Sequence, residues 1–118
     1  MIEIDEAMCD ETTAAGVQAA REGLLDSAAA KELARVFKAL SDSTRLRIIA
    51  ALAEREFSVG DLAAALDLEQ SAVSHQLGDM RELHLVRFRK SGRHVYYQLD
   101  DAHVRDLFAQ GLAHVRHH

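Results

Sequence analysis

A helical apolar pattern that stops for four residues, resumes, and then gives way to two β-rich stretches constrains this chain more than any other feature. Ser58-Val-Gly-Asp61 fits a capping box, in which the serine hydroxyl and the acid three residues on satisfy free amide groups at a helix start. Leu62, Ala63 and Leu66 form the inner face of the short helix that follows. Asp67-Leu-Glu-Gln70 has room only for a turn, and Ser71-Ala-Val-Ser-His-Gln-Leu77 resumes the helical spacing through Met80 and Leu83, with Val73 and Leu77 inward. In a helix-turn-helix of this order the second helix lies in the major groove and presents its N-terminal residues to base edges. The candidate contacts are Gln70, Ser71, Ser74, His75 and Gln76. On this spacing alone, the same polar residues suit a solvated surface helix equally well.

The next segment favours the nucleic-acid reading. Leu85-Val-Arg-Phe-Arg89 and His94-Val-Tyr-Tyr-Gln-Leu99 alternate apolar and polar residues around Lys90-Ser-Gly-Arg93, the pattern of a β-hairpin. Gly92 suits the positive φ of a tight turn, and Arg89, Lys90 and Arg93 place cations near the tip, where phosphates flanking a groove would lie. One of Tyr96 and Tyr97 is expected on the core and the other outside. A charged hairpin directly after a helix-turn-helix reads as a wing.

The net charge of −5 is no obstacle to binding DNA, because it is unevenly distributed. Residues 1–26 hold seven acids against Arg21 alone, whereas residues 71–97 hold five basic side chains against Asp79 and Glu82. Residues 1–15 are expected to form an acidic flexible arm and residues 16–118 a single domain. Upstream of the helix-turn-helix, Leu33, Val36, Phe37 and Leu40 follow helical spacing with Ser27 as the expected cap, and after Ser41-Asp-Ser-Thr44 a second helix carries Leu46, Ile48, Ile49 and Leu52 inward, ending near residues 54–56. No segment approaches the roughly 20 apolar residues of a membrane span, the N-terminus lacks a basic leader, and Cys9 is the single cysteine. The cytoplasm is the expected compartment. The expected class is mainly α: a winged helix-turn-helix of about five helices plus a two-stranded hairpin.

Leu68-Glu-Gln-Ser-Ala-Val-Ser-His-Gln-Leu77, Arg89-Lys-Ser-Gly-Arg-His-Val-Tyr-Tyr-Gln-Leu99 and Ala39-Leu-Ser-Asp-Ser-Thr-Arg-Leu-Arg-Ile-Ile49 together resemble the ArsR/SmtB family of bacterial metal-sensing repressors over most of residues 30–118. The resemblance implies a homodimer paired through its first and last helices, bound to a two-fold symmetric operator in double-stranded DNA, that represses metal efflux or sequestration genes.

The last helix carries its own chemistry. At about 100° per residue, His103, His114 and His117 share one stripe, yet the first two lie about 16 Å apart along the axis, far beyond the roughly 2 Å bonds of a zinc ion. One chain therefore cannot close a site. If two such helices pack antiparallel about a dimer axis, Asp101 and His103 meet His114 and His117 of the second copy, which gives two sites of three nitrogens and one oxygen, a set suited to tetrahedral Zn(II). The family resemblance implies the same set, since its C-terminal-helix site has the pattern Asp-x-His, ten residues, His-x-x-His. Asp101 must then lie in an irregular first turn with Asp100 as the cap, and His118 is an alternative to His117 or a fifth ligand. The family's thiolate site would need cysteines where this chain has Ser58-Val59-Gly60, so thiophilic ions are disfavoured and Cys9 reads as a bystander.

Three functional classes follow from these residues. The first is a repressor released from its operator by Zn(II), with Co(II) or Ni(II) as alternatives. The second is a winged-helix regulator of a non-metal signal. The third, a small metalloenzyme, is disfavoured because no nucleophile motif or phosphate loop accompanies the histidines.

Overall fold

The computed structural model describes residues 11–118. The chain divides into two compact units, one through Leu33 and one from Ala34 to His118, each taken here by itself. The flexible arm expected over residues 1–15 lies largely outside the described residues, as does Cys9; residues 11–15 are already helical, in α1 (Glu11–Glu22). This helix adds one to the five expected. Its alanines favour helix, but with Val17 as its one large apolar residue it shows no apolar stripe to read.

Helix α2 (Ser27–Leu40) starts at the residue expected to cap it, one position earlier than that cap would give. Asp26, not Ser27, does the capping: its Oδ1 accepts the Ala29 N–H at 2.8 Å, and Ser27 is the first helical residue.

The second unit holds α3 (Ser43–Glu54), β1 (Phe57–Ser58), α4 (Val59–Leu66), α5 (Gln70–Glu82), β2 (Val86–Ser91), β3 (His94–Leu99) and α6 (Ala102–His117). Asp42 caps α3 by accepting the Arg45 N–H at 2.9 Å, and Ser58 caps α4 by accepting the Asp61 N–H at 3.2 Å, as its capping-box spacing requires. Helices α4 and α5 end alike. Asp67 (φ 56°) and His84 (φ 57°) take the left-handed conformation, and the next residues, Leu68 and Leu85, donate back to Ala63 and Met80 at 2.9 Å each. Each of these is a Schellman closure, which turns the chain sharply and drives the following leucine inward. The first closure is the turn between the two helices; the second aims the chain into β2.

The core of this unit is a continuous cluster in which Ile48, Ile49, Leu62, Val73, Leu77 and Met80 have no solvent exposure. Burial of Leu62, Ala63 and Leu66 from α4 and of Val73, Leu77 and Met80 from α5 locks the two helices together. The sheet is antiparallel in the order β1-β3-β2. Its third strand, β1, pairs Phe57 with Tyr97 and Ser58 with Tyr96; two residues are too few to show an alternating pattern in sequence. Gly92 (φ 61°) is the one positive-φ residue of the two-residue wing turn, and Ser91 pairs with His94 across it. Among the described residues no helix is long and apolar enough to cross a membrane.

Candidate functional site

Closure of α4 onto α5 leaves one face of α5 open. Ser71, Ser74 and His75 are exposed on it, opposite the buried Val73, Leu77 and Met80. Gln70 opens the helix and its side chain lies near α4, its Nε2 3.4 Å from where a Cβ on Gly60 would stand. His75 Nε2 is 3.6 Å from Asp79 Oδ2 one turn on. Gln76 differs from the other four: it is half-buried, and its Oε1 accepts the Arg45 Nε–H of α3 at 2.7 Å.

The wing divides its cations in two. Lys90 and Arg93 are exposed at the tip. Arg89 is engaged within the chain, donating from Nε and Nη2 to the two carboxylate oxygens of Glu56, with its guanidinium 4.9 Å from the Tyr96 ring centre. The Arg89 hydrogen bonds hold the Glu56 carboxyl below the usual range against a smaller opposing effect of desolvation, with the charges of Arg89 and Arg55 adding to them; the same bonds raise Arg89. Tyr97 packs on the core beside Phe88, and Arg81 of α5 stacks on Phe88 at 4.8 Å, tying α5 to the wing.

Asp101 is the cap of α6, in place of Asp100. Its backbone is extended (φ −154°, ψ 178°), and its Oδ1 accepts the N–H groups of His103 at 2.9 Å and Val104 at 3.2 Å. Standing outside the helix, it escapes the geometry that would point residues two apart in different directions: His103 Nδ1 lies 3.4 Å from Asp101 Oδ1. Two donors on a tetrahedral ion with bonds of about 2.0–2.1 Å are separated by about the same distance, so this pair fits one ion. Desolvation would raise the Asp101 carboxyl, but the Val104 and His103 hydrogen bonds outweigh it and hold the group low. At the other end of α6 the His118 ring lies 4.8 Å from His114 and 5.2 Å from His117. The two ends are not brought together within one chain, and among the described residues no group of three His, Cys, Asp or Glu could hold a metal ion.

Residues 42–87, from the cap of α3 into β2, match the model of the bacterial regulatory protein, arsR family. The chain is 47% identical over 87 residues to a transcriptional repressor SmtB homolog of Synechocystis, covering 74% of this chain and 66% of that protein, just under two thirds of its length. It is 43% identical over 93 residues to the HTH-type transcriptional regulator NmtR of Mycobacterium tuberculosis, covering 79% and 78%. The chain belongs to the ArsR/SmtB family. The crystal structure of the AntR antimony-specific transcriptional repressor superposes with a TM-score of 0.72 at 35% identity, over 80% of this chain and 86% of that one.

As a member of ArsR/SmtB, this chain is a winged helix-turn-helix transcription regulator and not an enzyme. The segment Ser58-Val59-Gly60 offers no thiol; Ser58 serves instead as a helix cap. Two residues that bind candidate-site side chains, Arg45 and Glu56, carry no sequence signal of that pairing, because their partners lie 31 to 34 residues away. A further feature of this ArsR/SmtB chain is an open apolar groove of about 760 Å³ between the end of α2, α3 and α6. Phe37, Leu40, Leu46, Leu107, Leu112 and Val115 line it, and Phe37 and Val115 are 49% and 71% exposed.

Proposed function

We propose that this protein is a homodimeric, metal-responsive transcriptional repressor that binds operator DNA through α5 and the wing and is released by Zn(II). Each zinc would be held by Asp101 and His103 of one protomer with His114 and His117 of the other. The observation that carries the reading is the arrangement of α6: a paired Asp101–His103 donor set at one end, a histidine cluster at the other, and an exposed apolar groove alongside. Antiparallel pairing of two such helices covers the apolar residues and completes two four-donor sets at once.

The DNA face in this reading is Gln70, Ser71, Ser74 and His75 at base edges, with Lys90 and Arg93 on phosphate; Gln76 and Arg89, both engaged within the chain, act by shaping that face. Zinc contributes bonds between two chains, which favours one quaternary arrangement, and by linkage operator DNA must weaken zinc binding by the factor by which zinc weakens operator binding. Residence in the cytoplasm follows from the role.

Support for the choice of metal comes from the donors rather than the fold, since relatives of this fold include a repressor named for antimony. Three imidazoles and one carboxylate suit Zn(II) or Co(II), whereas His118 beside His114 and His117 leaves Ni(II), with its larger ligand number, as the second reading. The deciding test combines two variants. His103→Ala and His114→Ala each abolish the loss of operator affinity on adding zinc, while a mixture of the two, able to form one intact site per heterodimer, regains part of it. Equal operator affinity of the wild type with and without zinc overturns the reading, and the cobalt-substituted absorption spectrum separates four ligands from six.

A further inference from the structure

Arg45 lies in the first turn of α3, yet its side chain is directed entirely to α5. Its Nε–H donates to Gln76 Oε1 at 2.7 Å and its Nη2 to Asp79 Oδ2 at 3.3 Å, while only 20% of the side chain is exposed. Gln76 and Asp79 are three residues apart on adjacent turns, so one guanidinium spans both. Two consequences follow from the atoms available. Arginine offers no acceptor, so the Gln76 amide must turn its oxygen to Arg45, and what remains to it is a pair of N–H donors. Asp79, 43% exposed near His75, is a carboxylate on a helix that must approach polyphosphate, and Arg45 is the fixed positive charge that offsets it.

We propose that Arg45 is a positioning residue for DNA binding: from outside the reading helix it fixes Gln76 as a donor and neutralises Asp79, so that the Asp79 carboxylate does not meet DNA unpaired. This rests on the reading that α5 enters the groove.

The test uses the full-length protein and the duplex that the wild type selects from a random-sequence library, with affinity measured by fluorescence anisotropy across a salt series. Arg45→Met weakens binding about tenfold, the range of a lost charged hydrogen bond together with an exposed like charge. Adding Asp79→Asn to it restores most of that affinity, a rescue that a merely structural role for Arg45 would not give. Asp79→Asn alone keeps an acceptor for Arg45 and removes a charge that Arg45 already offsets, so it tightens binding by clearly less than the same change does in the Arg45→Met background; an equal gain in both backgrounds overturns the proposal. Wild-type affinity in Arg45→Met, or a double variant no tighter than Arg45→Met, overturns the proposal. Should Arg45→Met not fold, Arg45→Gln, which keeps a donor and loses the charge, takes its place, and wild-type affinity there, or no gain on adding Asp79→Asn to it, overturns the proposal. Ser71→Asp, on the open face of α5, abolishes binding if α5 enters the groove; wild-type affinity there would place the failure in that reading rather than in Arg45.

Discussion

Helices α5 and α6 are of similar length, 13 and 16 residues, and they are held in place by opposite means. Three side chains of α5 have no solvent exposure, and its flanks are tied to α3 by Arg45 and to the wing by Arg81. No residue of α6 is buried; Val104, Phe108 and Leu112 are half-covered, and Leu107 and Val115 lie open along the groove. The helix proposed to read DNA is thus positioned by its own chain, whereas the helix that carries the histidines is held less firmly by it and, in the proposed function, is completed by a second copy. A sensor needs that division. A rigid element presents a constant surface to the operator, and a marginally held element can be shifted by a few ligand bonds.

Truncation of each helix is the sharpest way to break this contrast. Leu77→Ala, at a site with no exposure, costs about 2–5 kcal/mol of folding stability, enough to unfold a large fraction of a small domain. Val115→Asp, at a site 71% exposed, leaves the fold in place, as judged by far-ultraviolet circular dichroism, but shifts the protein from dimer to monomer in sedimentation and removes the zinc response with it. A Val115→Asp protein that remains a zinc-responsive dimer would show that α6 is not at the interface.

Legibility in the sequence followed the same division. Helices α3, α4 and α5 and the hairpin were readable because each has an apolar period matched to its own geometry and a local stop, such as Asp67 or Gly92, whose backbone requirement is written in one residue. Helix α1 was missed because an alanine-rich segment with a single valine has propensity but no face, and β1 because its two residues are a strand only through their pairing with Tyr96 and Tyr97. The placement of His103, His114 and His117 on one helix was readable from spacing, since a single helical period governs it. The engagement of Gln76 and Arg89 was not, because it depends on Arg45 and Glu56, which only tertiary folding brings near.

Asp101 joins the two regions, since it caps α6 and is also a proposed ligand, and pH separates its two roles. Its carboxyl is held below the ordinary range in the folded protein, so the cap contributes stability in full above that range and loses it as pH falls through the folded-state value. Asp101→Ala should therefore lower the thermal midpoint at neutral pH, and the gap from wild type should close in acid. The zinc response, followed across the same pH series, reports the ligand role separately from the cap, because metal binding needs neutral imidazoles as well as the carboxylate. A gap that persists unchanged in acid would mean that the ionised carboxylate is not what holds the first turn of α6.

The smallest expected effect concerns the closure of α5. His84 adopts φ 57° with no ring contact, hydrogen bond or ion pair to its side chain among the described residues, so its Cβ bears the steric cost of the left-handed region with little in return. His84→Gly relieves that strain but widens the freedom of the unfolded chain, and the two effects leave a gain of about 0.5 kcal/mol. The substitution lies in the self-positioned half of the molecule. It should raise the denaturant midpoint while operator affinity and the zinc-induced loss of it stay as in the wild type. A changed zinc response in His84→Gly would mean that the junction from α5 to β2 carries the signal from α6, and the reading helix would then be less independent of the sensing helix than its packing indicates.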